Sequence, residues 1–235
     1  MIFHPDFLFG HLEKTGGTFI EKYLTTNIPK AKHKRKVNRH DSFYNCMPDT
    51  DVLKFGYIRN PYDWYVSFWA FTQKHRVYKF LLNNYSGNNV NMFIEDLFKS
   101  DKAICYNTDT VLKSSTDILR PFDLYVSNKL DIGLLTYRYL YIYYHPDVFK
   151  DIQNYKKYKI VDKVLQFENL LEEFVTFFKE NLFELDEDKI YKLYSMKKIR
   201  VTKHDHYSKY YTKKTIDLIQ HKDRIIFKEH NNYEF

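Results

Sequence analysis

The segment His11-Leu12-Glu13-Lys14-Thr15-Gly16-Gly17-Thr18 contains the residue types that hold an anion. Paired glycines let the backbone approach a ligand closely and turn several N–H groups toward one charge. Lys14 supplies a full positive charge, and Thr15 and Thr18 supply hydroxyl donors. Such a set binds phosphate or sulfate and can serve its transfer. The segment differs from the Gly-x-x-x-x-Gly-Lys-Ser/Thr loop of nucleotide-binding proteins, because here the lysine precedes the glycines.

A second segment adds chemistry of the same kind. Arg59-Asn60-Pro61 follows the apolar run Val52-Leu53-Lys54-Phe55-Gly56-Tyr57-Ile58, and Ser67 lies further along. A guanidinium forks onto phosphate oxygens, and a hydroxyl adds one more donor. Arg59 at a strand end occupies the usual ligand position of open α/β sheets. The spacing from Arg59 to Ser67 is about two helical turns. In the loop between the two segments, Asn38-Arg39-His40-Asp41-Ser42 carries a histidine suited to move a proton near neutral pH. His33 is the alternative in the same loop.

These residues require elements to position them. Phe7-Leu8-Phe9 predicts a strand near 6–11, and Phe19 to Leu24 continue a helix near 17–26. A strand is expected near 52–58 and a helix near 61–80, with Pro61 in its first turn, where the missing N–H costs nothing. Further helices are expected at 91–99, 132–144, 168–181, 186–194 and 212–221, and a strand at 159–167. Phe122 to Val126 reads as a short strand, and the chain is expected to end in an irregular tail. Strands alternating with helices imply an α/β fold with a central, mainly parallel sheet flanked by helices. No linker or repeat divides residues 1–235, so one domain is expected.

Composition bounds the classes. The 235 residues suffice for a substantial core, and 22 Tyr and 20 Phe supply much of it. The net charge of +7 suits a polyanionic cofactor or an acidic substrate. Lys30, Lys32, Lys34, Arg35, Lys36 and Arg39 concentrate basic charge in one run, which fits either an acidic acceptor or a solvated loop. No nucleic-acid motif accompanies it. Cys46 and Cys105 do not make a disulfide framework or a zinc site. No signal peptide or membrane-spanning run is visible, which fits a cytoplasmic protein or the trimmed catalytic domain of an anchored one.

Together the two segments resemble the sulfotransferases that use adenosine 3'-phosphate 5'-phosphosulfate (PAPS). The resemblance rests on His11 to Thr18 and on Tyr57-Ile58-Arg59-Asn60-Pro61-Tyr62 with Ser67 at the family's spacing. Leu165-Gln166-Phe167-Glu168-Asn169-Leu170 is similar to a strand-to-helix step of the family. Val201 to Tyr207, Tyr210-Tyr211-Thr212 and the terminal Asn232-Tyr233-Glu234-Phe235 resemble its carbohydrate-type branch. Two departures stand out. Glu13 occupies the place of the family's proline, and Trp64 stands where an arginine is common. No motif falls between about Lys74 and Asp131.

The resemblance implies a P-loop-like three-layer fold and transfer of a sulfuryl group from PAPS to an acceptor hydroxyl, on a carbohydrate partner, without a metal. It assigns Lys14 to the leaving phosphate, and Thr15, Gly16, Gly17 and Thr18 to the 5'-phosphate. Arg59 and Ser67 are assigned to the 3'-phosphate, and His40 to the general base. His11 is expected to be structural. Thr202, Lys203 and His206 are expected to reach the cofactor, and Trp64 or Trp69 to stack on adenine. Three other readings stay open. A nucleotide kinase or hydrolase would need a Gly-Lys-Ser/Thr step, which the chain lacks. The others are a protein that binds PAPS without transfer and a basic nucleic-acid-binding domain.

Overall fold

The structure, a computed structural model, describes residues 1–33, 39–46, 51–74, 89–99, 126–182, 185–199 and 201–235. In chain order the elements begin with strand β1 (Ile2–Phe3), strand β2 (Phe7–Gly10), helix α1 (Gly17–Asn27), strand β3 (Lys32–His33) and helix α2 (Phe43–Cys46). Strand β4 (Leu53–Ile58) and helices α3 (Pro61–Lys74), α4 (Val90–Lys99) and α5 (Leu134–Tyr143) follow. Strand β5 (Lys163–Gln166) and helices α6 (Leu170–Asn181), α7 (Glu187–Ser195), α8 (Lys213–Lys222) and α9 (Arg224–Glu229) come after them.

The fold is α/β, and the strands form a five-stranded mixed sheet in the order β3-β1-β2-β4-β5. Strands β2, β4 and β5 run parallel. Strand β1 pairs antiparallel with both β2 and β3, so the expected parallel sheet gains an antiparallel edge. Helix α9 corrects the expected irregular tail. The strand expected at Phe122 to Val126 lies, but for its last residue, outside the described residues, as do positions 75–80 of the long helix expected after Pro61. No helix among the described residues is long and apolar enough to cross a membrane.

The chain divides into two compact units, Met1–Arg59 with Leu140–Val201, and Asn60–Tyr139 with Thr202–Phe235. Each is assembled from two stretches of chain, so no linker composition marks the division.

The first unit holds the sheet. Phe7, Phe9 and Phe55 alternate along β2 and β4 and therefore share a face. They pack with Tyr23 and Leu24 of α1 and with Phe174, Phe177 and Phe178 of α6. Full burial of each such ring contributes about 2–3 kcal/mol. On the opposite face, Gly10 and Gly56 are register partners in adjacent strands. Both leave room for Tyr143, and a Cβ on Gly56 would stand 2.2 Å from its hydroxyl oxygen. Tyr143 Oη donates to Tyr57 O and accepts from Tyr57 N, each at 3.0 Å. This fastens the end of α5 to the strand that ends at Arg59.

The second unit is built around helices α3, α4, α8 and α9. Trp64, Tyr65 and Phe68 of α3 are buried with Phe93 and Phe98 of α4 and Ile219 of α8. Its polar centre is the buried carboxylate of Asp223, between α8 and α9. Asp223 accepts from Tyr65 Oη at 2.8 Å and from Thr136 N and Oγ1 at 2.9 and 2.7 Å. A Cβ on Gly133 would lie 2.2 Å from this carboxylate. Burial pushes the Asp223 carboxyl up to about 6, against the pull of the hydrogen bonds it accepts.

Candidate anion and acid–base site

Strand β2 ends at Gly10, and the chain turns through Lys14 and Gly16 into α1. Lys14 has φ 64° and Gly16 has φ 74°, so both occupy the left-handed region. Glycine adopts it without cost, whereas an L residue such as Lys14 does so at a cost of about 1–2 kcal/mol. Burial alternates along the turn. Glu13, Thr15 and Gly17 are buried, while Lys14, Gly16 and Thr18 are partly exposed.

Gly16 is the N-cap of α1 and provides no side-chain cap. The first N–H groups of a helix have no partner within it, and they point outward along the axis with the positive end of the dipole. Gly17 has a different reason to be glycine, because a Cβ there would meet the His11 ring at 2.1 Å. The Thr15 hydroxyl donates to Leu12 O at 2.7 Å and so braces the turn from inside. Of the two hydroxyls expected to face an anion, Thr18 is the partly exposed one.

Arg59, at the end of β4, is brought to this loop. Its Nη1 donates to Lys14 O at 3.0 Å. Its guanidinium carbon lies 4.4 Å from the centre of the Phe167 ring. Phe167 follows β5 in a 3₁₀ turn, Phe167–Asn169, that leads into α6. A Cβ on Gly16 would stand 3.1 Å from the same ring. Phe167 therefore sets both the guanidinium and the glycine turn, a role that the sequence reading did not give it. Only the meeting of three separated segments reveals it.

The histidines form a buried cluster behind the loop. His40 Nδ1 lies 2.7 Å from His11 O. A carbonyl oxygen only accepts, so Nδ1 carries the proton and the lone pair of the neutral ring is on Nε2. The His11 and His40 rings meet edge to face, with centres 4.4 Å apart. His11 Nδ1 stands 3.1 Å from Glu21 Oε1, and Arg39 Nε stands 2.8 Å from Glu21 Oε2. Among the described residues neither His11 Nδ1 nor Glu21 Oε2 has a hydrogen-bond partner, so both approaches are electrostatic contacts off the hydrogen-bond axis. Burial penalises the Glu21 carboxylate, but the contact with His11 and the charges of the Met1 amino group and Arg39 outweigh it and hold it at about 2. Burial also keeps His11 below its ordinary value, against the pull of Glu21. At neutral pH the cluster thus holds an ionised Glu21 and a neutral His11, with Arg39 supplying positive charge. His11 is buried in this cluster, and Arg39 pairs with Glu21.

His33 is exposed on β3, where it pairs with Ile2. His40, not His33, therefore adjoins the loop. Ser67 is buried on α3 in the second unit. Trp64 is wholly buried and stacks on Phe68 with ring centres 5.1 Å apart, which removes it as an adenine platform. Trp69 is partly exposed and meets Tyr210 edge-on. Thr202, Lys203 and His206 lie in the second unit, and His206 caps the 3₁₀ turn Tyr207–Lys209. Lys34, Arg35 and Lys36 of the basic run lie outside the described residues.

Within one unit, then, Lys14, an uncapped helix start and Arg59 surround the turn from Lys14 to Thr18, and a buried histidine of defined tautomer stands behind it. Such a set can bind a multiply charged oxyanion, stabilise charge building on it, and move a proton. In comparisons with family models, curated proteins and solved structures, the chain has no match.

Proposed function

We propose that the protein transfers a sulfuryl group from PAPS to an acceptor hydroxyl, with a carbohydrate as the acceptor class. A phosphate-loop type of α/β fold belongs to this reading. The observation that carries it is the uncapped start of α1, with Lys14 and Arg59 gathered at the same turn. The residues fit the cofactor's charge. The helix start offers backbone donors, Gly16 provides a turn that an L residue would strain, and two cations stand beside it.

PAPS, when bound, supplies an activated sulfuryl group whose sulfur–oxygen bond to phosphate is broken in the reaction. In this reading the N–H groups of the loop and the Thr18 hydroxyl hold the 5'-phosphate. The Lys14 ammonium faces the oxygen that gains charge as that bond breaks. It stabilises the transition state more than the ground state, which is what accelerates a reaction. His40 Nε2 takes the proton of the acceptor hydroxyl as its oxygen bonds to sulfur. Adenosine 3',5'-bisphosphate and the sulfated acceptor leave. Arg59 contributes charge toward the 3'-phosphate, and the role of Ser67 rests on the sequence spacing.

The test is transfer of radiolabelled sulfuryl groups from PAPS to a panel of neutral and acidic glycans, with Lys14→Ala and His40→Ala compared against the native chain. Labelled product is expected with the native protein. Either variant should reduce the rate by roughly two to three orders of magnitude. Product formed at the native rate by Lys14→Ala would overturn the assignment.

A further inference from the structure

Glu13 places an acid directly before the lysine of an anion loop, and the direction of its side chain explains how this is tolerated. Glu13 is buried, and its Oε1 lies 3.9 Å from His40 Nδ1. Its charge also bears on Tyr143, whose hydroxyl is pushed up by burial first and by Glu13 in addition. The carboxylate thus acts behind the loop, toward the histidine and the tyrosine.

Among the described residues, His11 and Glu13 approach His40. The His11 ring meets it edge-on from the end of β2, with ring centres 4.4 Å apart. Glu13 approaches its Nδ1 from the loop. Asp41 follows it in the chain, and its carboxylate accepts from Ser42 N, Asn45 Nδ2 and Tyr141 Oη. Burial disfavours an imidazolium, and a carboxylate nearby in a poorly screened site favours it. The His11 carbonyl fixes which nitrogen carries the proton but adds only a partial charge.

We propose that Glu13 is a positioning residue for His40. It stabilises the imidazolium that forms when Nε2 takes up a second proton. The chemical consequence rests on the transfer reaction proposed above. The acceptor O–H bond breaks, its proton goes to His40 Nε2, and the resulting positive charge lies beside the Glu13 carboxylate.

The experiment is an NMR pH titration of the His40 imidazole in the full chain, with the resonance assigned by its loss in His40→Gln. The native protein is compared with Glu13→Gln, which keeps the size and removes the charge. The His40 midpoint is expected to fall by about one pH unit or more in Glu13→Gln. The low-pH limb of the transfer rate should move with it. A purely structural Glu13 would change the melting temperature and leave the midpoint in place, and an unchanged midpoint overturns the proposal. If Glu13→Gln does not fold, Glu13→Asp is titrated instead. A smaller displacement in the same direction supports the pair, and none overturns it. A displaced midpoint without transfer to any acceptor would sink the transferase reading and keep the pair. An unchanged midpoint with active transfer would do the reverse.

Discussion

Lys14 sits in the left-handed region, which side chains other than glycine rarely adopt. Strain of this kind gathers at functional positions, where the surroundings hold it in place. Lys14→Gly separates the two contributions. It should leave stability unchanged or raise it by up to about 1 kcal/mol, because the strain relieved is offset by glycine's backbone entropy. It should also abolish transfer. Denaturant unfolding beside the sulfuryl-transfer assay checks this, and a variant that is both less stable and active would contradict it. Gly17 is constrained from the other side, by the His11 ring 2.1 Å from any added Cβ. Gly17→Ala should cost about 1–3 kcal/mol by overpacking and weaken anion binding as the turn shifts. Unaltered binding by calorimetry would show that the turn does not hold the ligand. The turn at Gly16 and Gly17 was legible from sequence because paired glycines after an apolar run mark a strand-to-helix turn. The partners of Glu21 and Arg59 were not. Arg39 and Phe167 reach them only through the fold, and residue type alone does not distinguish a structural arginine from a ligand.

At the scale of elements, two buried carboxylates respond to pH in opposite ways. Glu21 on α1 has a folded pKa of about 2 against an ordinary 4.5. Its contribution is complete above the unfolded value and is lost as pH falls from 4.5 toward about 2. Glu21→Gln should cost about 3 kcal/mol near neutrality, since Arg39 loses its partner, and should flatten this acid limb. Asp223, where α8 meets α9, has a folded value of about 6 against an ordinary 3.8. The folded state holds its proton more tightly, so stability is lost as pH rises from 3.8 to about 6. Asp223→Asn should remove that slope. Urea unfolding at closely spaced pH values reads both limbs, and a native profile parallel to each variant would contradict them. Strands β2 and β4 were legible as apolar runs bounded by turns, and α3 began at its proline. Strands β1 and β3 were not, because two residues are too few to show a period and long-range pairing alone creates them. Helix α9 was missed because Arg224, Lys228 and Glu229 in a short segment resemble a solvated tail.

For the whole molecule, the net charge of +7 has a consequence independent of any one contact. A cationic protein draws a polyanionic ligand, and salt screens that attraction over about 8–10 Å. Binding of adenosine 3',5'-bisphosphate should therefore weaken several-fold between low and physiological salt, and a salt-independent affinity would argue against an ionic site. The two units are each made of two chain segments, a division that composition did not reveal. Sequence periodicity reports local structure, whereas the crossing of the chain between units at Arg59, Tyr139 and Val201 leaves no local mark.

In the proposed function the loop from Lys14 to Thr18, with Arg59, takes an adenosine ligand bearing phosphates at both the 3' and 5' positions. Calorimetric titration of adenosine 3',5'-bisphosphate without metal, with ADP as the control, tests it most directly. Saturable binding of the bisphosphate, little binding of ADP, and loss of the difference in Arg59→Ala are expected. Equal binding of the two nucleotides, or none of either, would contradict it.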